Sequence, residues 1–169
     1  VREKRPSKIS KTKKISPLDH HLPLTDECLH FDDISEVPHD LSGTSFIRDI
    51  TTSILLMLTT NQNFHQRHNL FLHYAYDIRL TPSAWFGVTP EPIARRIAAD
   101  IPFHLGSTPS KDTIVDLFAG AGGNTIAFAL SEKWARIIAI EKDPATLACA
   151  QHNATVYGVA ECITWVLGD

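Results

Sequence analysis

The chain predicts an α/β fold: the first half of a doubly wound parallel sheet, preceded by a small helical extension and a disordered N-terminal tail. Two observations carry that prediction. Residues 113–167 alternate short apolar runs rich in β-branched residues with helix-compatible segments, in the order strand, helix, strand, helix, strand. The first run leads into a glycine turn (Gly120, Gly122, Gly123), and the second is followed at once by an acid, Glu141. Right-handed crossovers build such a series into a parallel sheet whose ligand crevice lies at the carboxyl ends of the strands.

Residues 1–45 mix charges, Pro and Ser without periodicity, so a tail with no core is expected there. The net charge of −3 conceals an asymmetry, because Arg2, Lys4, Arg5, Lys8, Lys11, Lys13 and Lys14 face Glu3 alone within the first 14 residues. Such an arm suits a solvated tail, a nuclear-import signal or a loose phosphate-binding segment. From Phe46 the pattern becomes apolar and aromatic, and residues 46–110 are expected to form a helical, lid-like extension. Pro82 and Pro90 bracket a tight segment, Trp85 to Thr89, after which Glu91 to Ala99 reads as a helix. Thr89 is placed to cap it, with Pro90 at the first helical position.

The remaining elements, residues 111–169, follow more clearly. Thr113 to Phe118 is a strand, 119–123 a turn and 124–131 a helix with Ile126, Ala127 and Leu130 on one side. Ala135 to Ile140 is the second strand. Asp143 caps a helix that has Pro144 at its first position, runs to Tyr157 and stops at Gly158. Cys162 to Leu167 is the third strand, followed by Gly168 and Asp169.

Composition narrows the class. With 169 residues and 43% hydrophobic content, the chain suits one domain with a tail. Three cysteines without paired spacing and no secretory pattern favour a reducing compartment, and Ile54 to Leu58 is too short to cross a bilayer. A soluble, intracellular protein is expected. His20, His21, Cys28 and His30 fit no zinc spacing, and His65, His68 and His73 read as packed or hydrated side chains, so no metal is expected.

The glycine turn bears on the ligand. A dinucleotide fingerprint starting at Gly120 would need glycine at position 125, where Thr125 stands. A ligand without pyrophosphate fits better, with the turn cradling an amino acid and a sugar. Asp116 stands inside an apolar strand, where an unpaired carboxylate is costly. It is suited to meet a positively charged amino group directly or through water. Glu141 is suited to accept from both ribose hydroxyls, and Asp169 from an adenine amino group. S-adenosylmethionine has each of these parts. The plainer reading, a glycine turn that is only a turn and an Asp169 that is only a turn residue, stays open at this point.

Asp116 to Asn124, Glu141-Lys-Asp-Pro and Gly168-Asp169 resemble class I S-adenosylmethionine-dependent methyltransferases with a Rossmann-like sheet. Trp85-Phe-Gly-Val-Thr-Pro-Glu-Pro-Ile-Ala, the run from Val115 to Ala129, and His152-Asn-Ala-Thr-Val-Tyr-Gly-Val narrow the resemblance to the trimethylguanosine synthase family. That resemblance covers roughly residues 64–169 and the short piece from Ser35 to Leu41. It implies conversion of the 7-methylguanosine cap of small nuclear and nucleolar RNAs to the 2,2,7-trimethyl form, in the nucleus, with S-adenosylmethionine as cofactor. It places Asp116, Phe118, Gly120, Gly122, Asn124 and Thr125 around the methionine part, Glu141 on the ribose and Asp169 at the adenine. It also implies that Phe71 and Thr89, in a lid before the sheet, contact the cofactor. Two departures follow from the same comparison. Some twenty residues, Ser42 to Gln62, intervene where the family has almost none, and Gln62 stands at the family's cap-phosphate lysine. The family's Pro-Pro-aromatic acceptor motif would fall after Asp169, so residues 1–169 alone are expected to show little or no activity; a non-catalytic RNA- or protein-binding role is the alternative.

Overall fold

The computed structural model describes residues 16–32, 64–105 and 112–168. Strands β1 (Thr113–Asp116), β2 (Arg136–Glu141) and β3 (Ile163–Leu167) form one sheet in the order β1-β2-β3. Both pairings are parallel, with Val115 opposite Ile138 and Ala139 opposite Trp165. The expected α/β architecture is therefore present, a partial doubly wound sheet with helical crossovers.

Among the described residues, five helices and two 3₁₀ turns, one of them at Ala160–Cys162, accompany the sheet. The extension holds α1 (Arg67–Leu70), a 3₁₀ turn at Tyr74–Tyr76, α2 (Pro82–Gly87) and α3 (Glu91–Leu105). Crossover helix α4 (Gly123–Leu130) joins β1 to β2, and α5 (Pro144–Val156) joins β2 to β3. Asp143 caps α5 as expected, its side chain accepting from the Thr146 amide at 2.8 Å, and Gly158 past its end takes a left-handed φ of 70°.

The region between Pro82 and Pro90 differs from the expectation of a tight segment. Thr81 accepts from the Ala84 amide with Pro82 at the first turn, so residues 82–87 form a short helix. The start of α3 also shifts by one residue. The Pro90 carbonyl accepts from the Ile93 and Ala94 amides, which puts Pro90 at the cap position, while Thr89 Oγ1 accepts from Asn124 Nδ2 at 3.3 Å.

The larger difference lies upstream. No core was expected before residue 46, yet Cys28 and Phe31 are buried. Residues 16–32 run as an extended strap across the sheet and α5. The Leu18 amide donates to the Trp165 carbonyl, the Leu22 amide to Gln151 Oε1, and Leu29 pairs with Leu80 in an antiparallel bridge. This strap explains why α5 is buried nearly all round, from Ala145 to Gln151 and again at Asn153 and Ala154. The expected insertion at 42–62, Gln62 and the basic arm lie outside the described residues.

One aromatic cluster unites the strap and the extension. Trp85 stands 6.0 Å from Phe31 and 5.8 Å from Tyr74, ring centre to ring centre, and Phe64, Phe71, Ile78 and Leu80 complete the cluster. Buried Asn153 then ties this layer to the glycine turn. Its amide group bonds the backbone of Arg79 through both amide atoms and also donates to the Ala121 carbonyl at 3.0 Å. Among the described residues no helix is long and apolar enough to cross a membrane.

Candidate functional site

The carboxyl ends of β1 and β2 open into a cavity of about 760 Å³. Its walls come from three sources: the glycine turn with the first residues of α4, the Glu141-to-Thr146 turn into α5, and the extension from Thr81 to Thr89. Glu27 of the strap completes it.

The glycine turn is built by backbone requirements that other residues meet poorly. Gly122 stands before α4 with φ 92°, a left-handed conformation costly for residues with a side chain. A Cβ on Gly123 would meet the Thr89 carbonyl and Val88 Cγ2 at 3.0 Å each. The absence of a side chain at 123 is what lets the extension lie directly on the turn.

Glu141 is the organiser of the opposite wall. One carboxylate oxygen accepts from the Gly120 amide at 3.0 Å, and the other from the Lys142 and Asp143 amides at 2.9 Å each. A carboxylate offers about four acceptor positions, so one remains on the oxygen that holds Gly120. Asp116 is similarly employed. It accepts from the Thr125 hydroxyl at 2.6 Å and from the Phe118 amide at 3.4 Å, which locks the end of β1 to α4.

Of the sequence-predicted residues, Thr89, Phe118, Gly120, Asn124 and Glu141 line the cavity together. Asp116, Gly122 and Thr125 stand behind this wall and shape it, with Thr125 fully buried. Phe71 does not border the cavity. It is 2% exposed and packs against Tyr157, ring centres 6.2 Å apart, because the aromatic core draws it inward. Asp169 lies outside the described residues. Phe118 is at the other extreme, 88% exposed at the cavity wall.

Several lining residues escaped the sequence reading. Ser83, Thr81, Thr146 and Asp143 form a chain of hydrogen bonds, with Ser83 and Thr81 at 3.1 Å, Thr81 and Thr146 at 3.1 Å, and the Thr146 hydroxyl donating to Asp143 at 2.6 Å. Asp143 and Thr81 each precede a proline, the one local sign that both cap helices. Nothing local marks Ser83 or Glu27, which tertiary folding brings in.

Further along α3, Glu91 is 4% exposed and accepts from the Leu72 amide at 2.7 Å, from Tyr157 at 2.5 Å and from Arg95 at 2.7 Å. Burial works to raise its carboxyl, but the hydrogen bonds from Tyr157, Leu72 and Arg95 outweigh it and leave the carboxyl below its ordinary value of 4.5. Burial, then the bond to Glu91, pushes the Tyr157 phenol upward. This network holds the first turn of α3, and with it Thr89 and Val88, against α5 and the segment after α1.

Comparison with known proteins matches the same region. Residues 111–169 match the RNA cap guanine-N2 methyltransferase family. A protein named trimethylguanosine synthase from Schizosaccharomyces pombe is 37% identical over 107 residues, 63% of this chain and 42% of that protein. A trimethylguanosine synthase from Saccharomyces cerevisiae is 36% identical over 86 residues, 51% of this chain and 26% of that protein. The chain thus spans less than half the length of these curated relatives. The glycine turn and Glu141, which build the cavity, fall inside the residues that match the RNA cap guanine-N2 methyltransferase family.

Proposed function

We propose that the cavity binds S-adenosylmethionine and serves an RNA cap guanosine-N2 methyltransferase of the trimethylguanosine synthase type. The carrying observation is the position of the cavity: it opens at the carboxyl ends of two parallel strands, between a glycine turn and an acid, within the residues that match the family. The substrate of this reading is the 7-methylguanosine cap of small nuclear and nucleolar RNAs, converted to the 2,2,7-trimethyl form in the nucleus.

The residues present fit the cofactor. Glu141 keeps one acceptor position for a ribose hydroxyl, and to engage both hydroxyls it would release the Gly120 amide. Asn124 Oδ1 is buried without a hydrogen-bond partner while its amide nitrogen donates to Thr89. A buried orphan acceptor at the wall of a cavity is costly unless a ligand N–H or O–H supplies the missing bond. Beside Gly120 the space that a Cβ would enter is open. Bound here, S-adenosylmethionine supplies an electrophilic methyl group on a sulfonium. The chain's own contribution is positioning: Glu141 and Asn124 fix the cofactor, Asp116 and Thr125 keep the turn in shape, and Asp169 accepts from the adenine amine. The exposed Phe118 ring supplies an apolar cover at the mouth.

Isothermal calorimetry with S-adenosylmethionine and with a 7-methylguanosine-capped RNA tests this reading. Cofactor binding that is weakened at least about ten-fold in Glu141→Ala is expected, from the loss of a charge-assisted hydrogen bond. RNA binding with no cofactor binding would point instead to a non-catalytic RNA-binding role.

A further inference from the structure

The hydroxyl chain at one end of the cavity has a fixed direction. Thr146 has a single proton and gives it to Asp143, so the bond between Thr81 and Thr146 must be donated by Thr81. Thr81 has then spent its proton, and Ser83 must donate to Thr81, whose other acceptor position takes the Ala84 amide. Every proton in the chain therefore runs inward to Asp143. What these side chains can still offer a ligand is acceptors: the Ser83 lone pairs and the second oxygen of Asp143. Counting all lining residues, three acids (Glu27, Asp143 and Glu141) stand against one base, Lys142.

Glu27 reaches this wall from far away in sequence and by a specific route. The Cys28 amide donates to the Thr25 carbonyl at 2.9 Å and closes a turn, and Cys28 itself is buried against α5, its thiol donating to the Ala145 carbonyl at 3.5 Å. The next residue, Leu29, is bridged to Leu80. With both sides of the turn pinned, Glu27 is held, exposed, at the cavity that Ser83 and Thr146 also line.

We propose that Glu27 is a specificity residue of this cavity, which the strap adds to the acceptors left by the hydroxyl chain so that the site selects a ligand carrying an extra positive charge over its counterpart without that charge. This rests on the functional reading above and names two sources of that chemistry, the sulfonium methyl donor and the 7-methylated guanine ring. Both carry a positive charge that their demethylated partners lack. An added carboxylate favours the member of each pair that carries the extra positive charge relative to its demethylated partner.

The test is calorimetry on the whole chain and its Glu27→Gln and Glu27→Asp variants with two ligand pairs: S-adenosylmethionine against S-adenosylhomocysteine, and 7-methyl-GDP against GDP. Glu27→Gln is expected to weaken the member of one pair that carries the extra positive charge by about 1.5- to 5-fold relative to its demethylated partner, the range of a solvent-facing charge contact. Glu27→Asp should retain most of the discrimination, and high salt should erase the difference between wild type and Glu27→Gln. The pair that responds identifies the source. Unchanged ratios in both pairs, with the variant melting like the wild type, would overturn the proposal while leaving the cofactor reading intact. Failure of the wild-type chain to bind any of the four ligands would instead overturn the functional reading, and this inference with it.

Discussion

Glu91 shows how a single buried charge organises the wall of the cavity. Three partners converge on its carboxylate from different parts of the chain: the Leu72 amide, the Tyr157 hydroxyl and the Arg95 guanidinium. Replacing the carboxylate with an amide leaves a donor group among donors, so Glu91→Gln is expected to destabilise the fold by about 1.5–3 kcal/mol at neutral pH, the range of hydrogen bonds to a charged group. The pH dependence has a definite sign. The folded-state carboxyl titrates below its ordinary value of 4.5, so its stabilisation is complete above that value and is lost as pH falls through the lower, folded one. The stability gap between wild type and Glu91→Gln, followed by urea denaturation from neutral to acidic pH, should stay constant down to the ordinary carboxyl range and then close. A gap that widens toward acid would show that Glu91 is stabilised as the neutral acid instead.

At the scale of elements, the junction between β2 and α5 joins stability to binding. Asp143 closes the first turn of α5 through the Thr146 amide and hydroxyl, while Pro144 at the first helical position has no N–H to leave unpaired. Both features were legible in the sequence because an acid before a proline states its role within two residues. The same signature in Thr81-Pro82 passed unread, since a six-residue helix is too short to show periodicity. Asp143→Ala is expected to cost about 1 kcal/mol, a fall in melting temperature of about 2–4 °C, whereas Asp143→Asn keeps the acceptor and should lose only a few tenths of that energy. Thermal melts of the two variants decide the matter: equal losses in both would show that the charge, and not the cap, carries the contribution.

For the whole molecule, the parallel sheet and the acid at the end of β2 were readable from residues 113–167 because each strand and crossover helix there carries its own local pattern. The strap was not readable. Residues 16–32 lack periodicity, and what buries Cys28 and Phe31 is a surface assembled from α5, the Ile78-to-Leu80 segment and Trp85, more than forty residues away. Phe71 is ambiguous in sequence for a related reason: an aromatic residue before the sheet suits a cofactor contact and a core position equally, and its packing on Tyr157 arises only on folding. The strap also makes a prediction about cooperativity. Phe31 is 7% exposed against Trp85, and both its backbone N–H and its carbonyl bond the Tyr74 hydroxyl, at 3.1 and 3.2 Å. Burial pushes the Tyr74 phenol up to about 12, consistent with a hydroxyl held neutral between those two backbone groups. Phe31→Ala removes the ring from a packed cluster and is expected to cost about 3–5 kcal/mol. Because the strap, α5 and the extension share that cluster, the loss should appear in the global unfolding transition, and hydrogen exchange should accelerate together at the amides of Leu18, Leu22 and Leu29. If the strap were an appendage on an independent core, Phe31→Ala would speed exchange at those three amides and leave the melting of β2 and α5 where it was.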